Sequence, residues 1–353
     1  MKSSLRSLLA AGAALLLGLL AAPLRADILY VTNSSTITKF SSAGVGSVFG
    51  SSSGSGAGVA FDSTGNLFVA DPFGNRINKL TSGGVRSDFA TGVNFPKGLA
   101  FDTAGNLYTA RTGNITKFSS TGVSSVFSTY AGLRSPQGLA FDGGGNLYVA
   151  NADDNTILKF TPDGTASVFA NTGLNFPIGL AFDGAGNLYV ANQNTGTIVK
   201  LTPGGAGSVF ASSGLTAPQG LAFDSAGNLY AANAADGTIA KFTPAGVRSV
   251  FASGVNGPIY LAFTTDAGVP LPLPPAGSGT PLPPTIATQP QPQTVAPGAS
   301  ATFTVVATGA TRISGGSTPR PSPARRSRAT RSRPSPRPTP APTPSSSRTP
   351  PAP

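Results

Sequence analysis

The chain contains no cysteine, no histidine and no glutamate; all 13 of its acidic residues are Asp. Without Cys there are no disulfides, and a repeat structure of this size has a core large enough not to need them. Without His and Glu, proton transfer near neutral pH falls to Asp, Lys or Tyr. A metal site would have to be built from Asp and Asn oxygens, which suits Ca²⁺ better than Zn²⁺. The net charge of +11 is a property of the ends. Three of the 24 basic residues precede Asp27 and nine Arg follow Ala310, leaving twelve against 13 Asp in between, so the central region is near −1. No basic surface suited to nucleic acid is expected there.

What the chain does have is a repeat. GLAFDGGGNLYVAN (Gly138–Asn151) recurs from Gly58, Gly98, Gly179 and Gly220, and its Asp stands at 62, 102, 142, 183 and 224, in steps of 40, 40, 41 and 41. Each unit holds four short apolar runs, in the third copy GLAF, NLYVA, TILKF and ASVF, separated by Gly, Pro, Asp and Asn. That is a strand-and-turn pattern, with runs too short for helices. Asp142–Asn146 reads as a turn in which Asp accepts backbone N–H groups and Gly takes the left-handed conformation; Thr161–Gly164 reads as a second turn, with φ pre-set by Pro. Four antiparallel strands at this period make one propeller blade, buried on both faces, hence nearly continuously apolar. Phe61, Phe101, Phe141, Phe182, Phe223 and Phe263 in the first strands, and Phe49, Phe89, Phe127, Phe169, Phe210 and Phe251 in the fourth, are expected to pack between blades.

The ends of the repeat region complement each other. Asp27–Asn33 matches a second strand with no first strand before it, and Pro258–Phe263 matches a first strand with nothing after it. The fold class predicted is therefore all-β: a six-bladed propeller over 27–266, closed by pairing the C-terminal strand with the three N-terminal ones. Residues 1–26, with Lys2, Arg6, an apolar stretch and Leu24-Arg25-Ala26, read as a Sec-type signal peptide, which predicts a secreted, periplasmic or cell-surface protein with no membrane span after cleavage. Residues 267–284 form a Pro-rich linker. Residues 285–311 resemble the opening strands of bacterial immunoglobulin-like modules, far short of a whole sandwich. Residues 312–353 are rich in Arg, Pro, Ser and Thr and are expected to be disordered. This tail has three readings: an arm for acidic polymers, a spacer, or an out-of-frame translation of a GC-rich gene. The last is favoured because the apolar pattern stops at Ala310.

The run G-[LV]-A-F-D-x-x-G-N-L-[YF]-V-A-[ND], followed by N-x-I-x-K-F, resembles the NHL repeat of six-bladed propellers, and GNRINKL (Gly74–Leu80) is a close copy of that repeat's second half. The resemblance covers most of 27–266 and implies the fold, while such propellers serve both as binding modules and as enzymes. Gluconolactonase-like and virginiamycin B lyase-like propellers are similar, but the resemblance implies Glu and His in their sites. This chain has neither, so their catalytic residues have no counterparts here.

Loops entering first strands and loops between second and third strands share one face, where a ligand is expected across the central opening. One ring should comprise Ala57, Lys97, Gln137, Ile178, Gln219 and Ile259, and the other Asn33, Asp71, Arg111, Asn151, Asn192 and Asn233. Positions that vary between copies are free of the shared fold. Lys97, Gln137 and Gln219 are thus preferred ligand contacts, followed by Asp71 and Arg111, with Asn151, Asn192 and Asn233 completing the mouth; Phe95 and Phe176 add aromatic surface. A solvated rim without a ligand is the bland alternative. The ladder Lys39, Lys79, Lys117, Lys159, Lys200 and Lys241 and the turn Asp residues read as structural. Asp153, Asp154 and Asn155 are a weak Ca²⁺ candidate; no other cofactor is expected. The leading expectation is a monomeric, non-catalytic module binding a protein or glycan at the cell surface. The alternatives are a lactonase- or lyase-type enzyme with an Asp/Asn metal site, and a structural spacer.

Overall fold

The structure, a computed structural model, describes residues 27–51, 57–111, 113–265, 268–269, 271, 285–288 and 306–308. Residues 1–26, expected to be a signal, the tail 312–353, and most of the 267–284 linker and of the stretch 285–311 expected to resemble an immunoglobulin-like module lie outside the described residues. Of that stretch, Thr285–Thr288 and Val306–Thr308 pair antiparallel; two strands do not show an immunoglobulin-like module.

Six four-stranded antiparallel sheets form the propeller. Blade 1 is composite: Leu261–Thr265, then Asp27–Thr32, Thr36–Phe40 and Gly46–Ser51. The first strands of blades 2 to 6 are Val59–Phe61, Leu99–Phe101, Pro136–Phe141, Pro177–Phe182 and Pro218–Phe223. Their second strands are Leu67–Asp71, Leu107–Arg111, Leu147–Asn151, Leu188–Asn192 and Leu229–Asn233. First strands touch one another right round the axis, including that of blade 1 against that of blade 2, so the ring is shut. The closing strand is in register with Asp27–Thr32, Leu29 opposite Phe263 and Val31 opposite Leu261. The ladder continues through Thr32 N–H to Tyr260 O (3.0 Å) and Ile259 N–H to Thr32 O (2.8 Å).

The turns form as their residues dictate. Asp142 Oδ1 accepts from the N–H groups of Gly144 and Asn146, both at 2.9 Å. Gly145 supplies φ of 78°, which costs a residue without Cβ nothing. A register shift between third and fourth strands follows the same Ile in all six blades: Ile37, Ile77, Ile115, Ile157, Ile198 and Ile239. Such bulges increase local twist, as a blade needs.

Alternate residues of each second strand serve different seams. Leu147 and Val149 pack with blade 3, while Tyr148 and Ala150 pack with blade 5. Tyr148 is met edge-on by Phe169 of its own fourth strand (4.9 Å between centroids) and by Phe182 of the next blade (5.0 Å). The same three-ring contact occurs at all six seams, with Phe68 in the Tyr role in blade 2. Lys159 Nζ sits 5.5 Å from the Tyr148 ring centroid, and the Tyr148 hydroxyl donates to Asp142 Oδ2 at 3.2 Å. Burial, and then the charge and hydrogen bond of Asp142, push this phenol up. Lys ladder and turn Asp are accordingly structural: Lys79, Lys200 and Lys241 lie 3.6, 3.6 and 3.8 Å from Asp62, Asp183 and Asp224.

The glycine that opens each repeat sets how closely the inner strands approach. A Cβ on Gly98, Gly138 or Gly179 would stand 2.2, 2.3 or 2.0 Å from the carbonyl oxygen of Gln137, Ile178 or Gln219 in the next blade. The equivalent residue in the closing blade is Tyr260. Gly179→Ala is expected to destabilise the propeller by roughly 2–3 kcal/mol through overpacking. Gly204→Ala, where the nearest atom would be 3.9 Å away, is expected to stay within about 0.5 kcal/mol of wild type in urea unfolding.

Candidate functional site: the axial face and the cleft beside it

Loops entering the first strands and hairpins joining second to third strands emerge at one end of the ring. Ala57, Lys97, Gln137, Ile178, Gln219 and Ile259, one residue per blade, surround a cavity of about 160 Å³, with Pro72 and Tyr260 completing its wall. The first expected ring is thus brought together. Gln137 Nε2 donates to Ser135 O (3.3 Å) and Oγ (3.1 Å). The Tyr260 hydroxyl is buried and has no hydrogen-bond partner.

Beside it lies a cavity of about 830 Å³ between blades 3 and 4, and Lys97 and Gln137 line both. Its wall also includes Phe95, Arg111, Arg134, Asp153 and Asp154. Chain length explains the opening. Four residues join second to third strand in blades 2, 4, 5 and 6, whereas Arg111 and Asn114 of blade 3 are separated by two. Arg111, at the start of this short connection, is exposed.

The second expected ring needs correction. Asn151, Asn192, Asn233 and Asp71 are buried behind the rim, Asn192 at 1 % exposure, and their polar atoms hold the fold. Asn192 Oδ1 accepts from Asn175 N–H at 3.1 Å, while its Nδ2 donates to Gly173 O at 2.9 Å and Thr197 Oγ1 at 3.1 Å. Asn151 and Asn233 repeat this clamp on Gly132 and Gly214. Asp71 accepts from Gly74 N–H at 2.8 Å and pairs with Arg76 at 3.1 Å. These residues tie each entering loop or hairpin to the blade, so they are not open contacts for a ligand; of this ring only Arg111 is exposed.

The side chains of the calcium candidate, Asp153, Asp154 and Asn155, stand on the blade 4 hairpin. Asn155 Oδ1 accepts from Phe176 N–H at 2.6 Å. Asp154 Oδ2 accepts from Asn151 Nδ2 at 3.2 Å and faces Arg134 at 3.8 Å. Asp154 and Asn155 thus serve different partners. Among the described residues no group of three or more His, Cys, Asp or Glu gathers to hold a metal ion.

Sequence reasoning expected aromatic surface at Phe95 but missed Phe73 beside it. Phe73, at a hairpin tip, is 70 % exposed and Phe95 is 46 % exposed; their rings meet edge to face with centroids 5.8 Å apart. Phe95 precedes Pro96 with φ of 49°, as Ser135, Phe176 and Ala217 do before their prolines at 50°, 53° and 48°. Left-handed φ is unfavourable for residues with Cβ, and here Asn75 Oδ1 accepts Phe95 N–H at 3.0 Å. The available signal was the lone aromatic in the Pro72–Asn75 hairpin. Lys97 Nζ lies 4.8 Å from the Phe95 ring centroid, and burial pulls its ammonium below the usual lysine range.

At the other end of the ring, Phe61, Phe101, Leu139 and Phe141 with Val269 and Leu271 line an apolar cavity of about 750 Å³.

No protein-family model matches the sequence, and no curated protein matches it. Solved structures match the fold. The propeller in a nidogen/laminin complex is similar at 20% identity and TM-score 0.61, over 67% of this chain and 98% of that one. Virginiamycin B lyase from Staphylococcus aureus is similar at 13% identity and TM-score 0.52, over 67% and 92%. A gluconolactonase from Xanthomonas campestris is similar at 20% identity and TM-score 0.51, over 62% and 86%. At these identities the likeness is one of fold.

Two outcomes follow from the site geometry. Asn192→Ala, which leaves Asn175 N–H and Gly173 O without their partner, is expected to cost about 1–3 kcal/mol in chemical unfolding. In an NMR titration of the lysine side chains, Lys97, lowered by burial, is expected to lose its proton at lower pH than Lys200, which despite burial is raised by its bonds to Tyr189 and Asp183.

Proposed function

We propose that this chain is a non-catalytic binding module that recognises a protein partner through its axial face. The observation that carries the reading is that Lys97 and Gln137 line two adjacent cavities, flanked by the exposed Phe73–Phe95 pair. Aromatic side chains rigidly presented beside a concave, charge-bearing surface are what protein interfaces use as anchors. The structural neighbour seen with laminin supports a protein partner for this fold. A glycan would be served by the aromatic edge but makes less use of walls carrying both signs of charge. The reading includes export directed by residues 1–26 and action as a single ring at the cell surface.

Peptide display on the immobilised full-length chain tests it. Peptides selected on wild type are expected to bind at least about tenfold more weakly to Phe73→Ala/Phe95→Ala, as truncated anchors do, and to Gln137→Trp, which fills the shared mouth. Selected peptides indifferent to both variants contradict the reading.

A further inference from the structure

The axial cleft carries a charge asymmetry that the blade architecture does not require. Arg134 has Asp154 at 3.8 Å, but among the described residues no carboxylate lies within ion-pairing distance of Lys97 or Arg111. Both face the same cavity of about 830 Å³. Lys79, Lys200 and Lys241 lie over aromatic rings and each stands close to a turn Asp. Lys97 is different: it is half-buried, held against Phe95, and its burial is not offset by a counter-charge. Arg111 stands where three blades place a clamping Asn, at the one hairpin shortened to two residues.

The smaller cavity continues this pattern. Among the described residues Lys97 is its one charged lining side chain, and Gln137 and Gln219 are its polar ones. All can donate hydrogen bonds, and none is an acid. A carboxylate entering from the cleft would satisfy a cation that burial has left uncompensated, and charge-assisted bonds of that kind are the stronger class.

We propose that the blade 3–4 cleft binds an acidic segment of a protein partner, with a carboxylate side chain set against Lys97 and Arg111. Asp153 and Asp154 on the opposite wall repel a second acid there, and so fix which way the segment runs. This inference rests on the axial face being the recognition surface and adds the chemistry of what it recognises.

The test is fluorescence anisotropy on the full-length chain with a short labelled peptide alternating Gly and Asp, the same peptide with Asn for Asp, and labelled oligogalacturonate as a carboxylate-bearing glycan. The Arg-rich tail is present in every variant, so differences between variants report the cleft. The Asp peptide is expected to bind wild type, and to bind Lys97→Ala/Arg111→Ala at least about tenfold more weakly, the scale of a lost charged contact. Lys97→Arg/Arg111→Lys should keep most of the affinity, and Asp153→Asn/Asp154→Asn should raise it. Unfolding midpoints equal to wild type establish that the variants are folded. Equal binding of the Asp and Asn peptides, or unchanged binding by the Ala variant, overturns the proposal. So does oligogalacturonate binding that needs both cations when the Asp peptide does not bind. If display-selected peptides still require Phe73 and Phe95 but ignore Lys97 and Arg111, this proposal falls while the axial face stands. If they ignore all four, both fall.

Discussion

Everything in the propeller depends on the pairing of Leu261–Thr265 with Asp27–Thr32. Each blade is a small sheet that cannot bury both faces alone. It does so only by lying between two neighbours, and an open row of six would leave two faces and two inner edges in water. Supplying the inner strand of blade 1 from the far end of the chain removes those ends. The seams it completes are chemically like the others. Tyr230 meets Phe251 and Phe263 on one side of the closing blade, at 5.0 and 4.8 Å, and Tyr30 meets Phe49 and Phe61 on the other, at 4.9 and 5.0 Å.

The architecture was legible because it is written six times. Blade number, turn chemistry, continuous burial of the second strands and the meeting of the two ends all follow from repeated residues. The bulge after each Ile was not legible, since a register shift leaves no mark in the composition of a five-residue strand. The candidate site was only half legible. The position after each loop proline does face the axis, and Lys97, Gln137 and Gln219 stand round one cavity. The Asn ring misled because an Asn at a strand end looks the same whether its amide faces solvent or clamps a loop. Only the structure shows Asn192 bonded to Asn175, Gly173 and Thr197. Departures from the repeat carried the better signal: Arg111 in place of Asn, a hairpin of two residues and Tyr260 in place of Gly.

Those departures cluster on one face, so shared and unshared positions have different places in the ring. Residues common to all blades pack seams, close turns and pin loops. Residues that differ line the mouth and the cleft. A ring held from all sides can tolerate such differences at the rim, where Phe95 is kept in a left-handed conformation by Asn75 and Lys97 is held partly out of water. The six seams hold those few side chains in place, which on the proposed reading lowers the ordering cost of binding.

Native-state hydrogen exchange at the closing strand pair tests the account most directly. The amides of Thr32 and Ile259, which bond across the closing pair, are expected to exchange only through global opening, as slowly as the inner pair Ala140–Tyr148 of blade 4. Rapid exchange of the closing pair while blade 4 stays protected would show that the ring is not shut in solution, and would contradict the account.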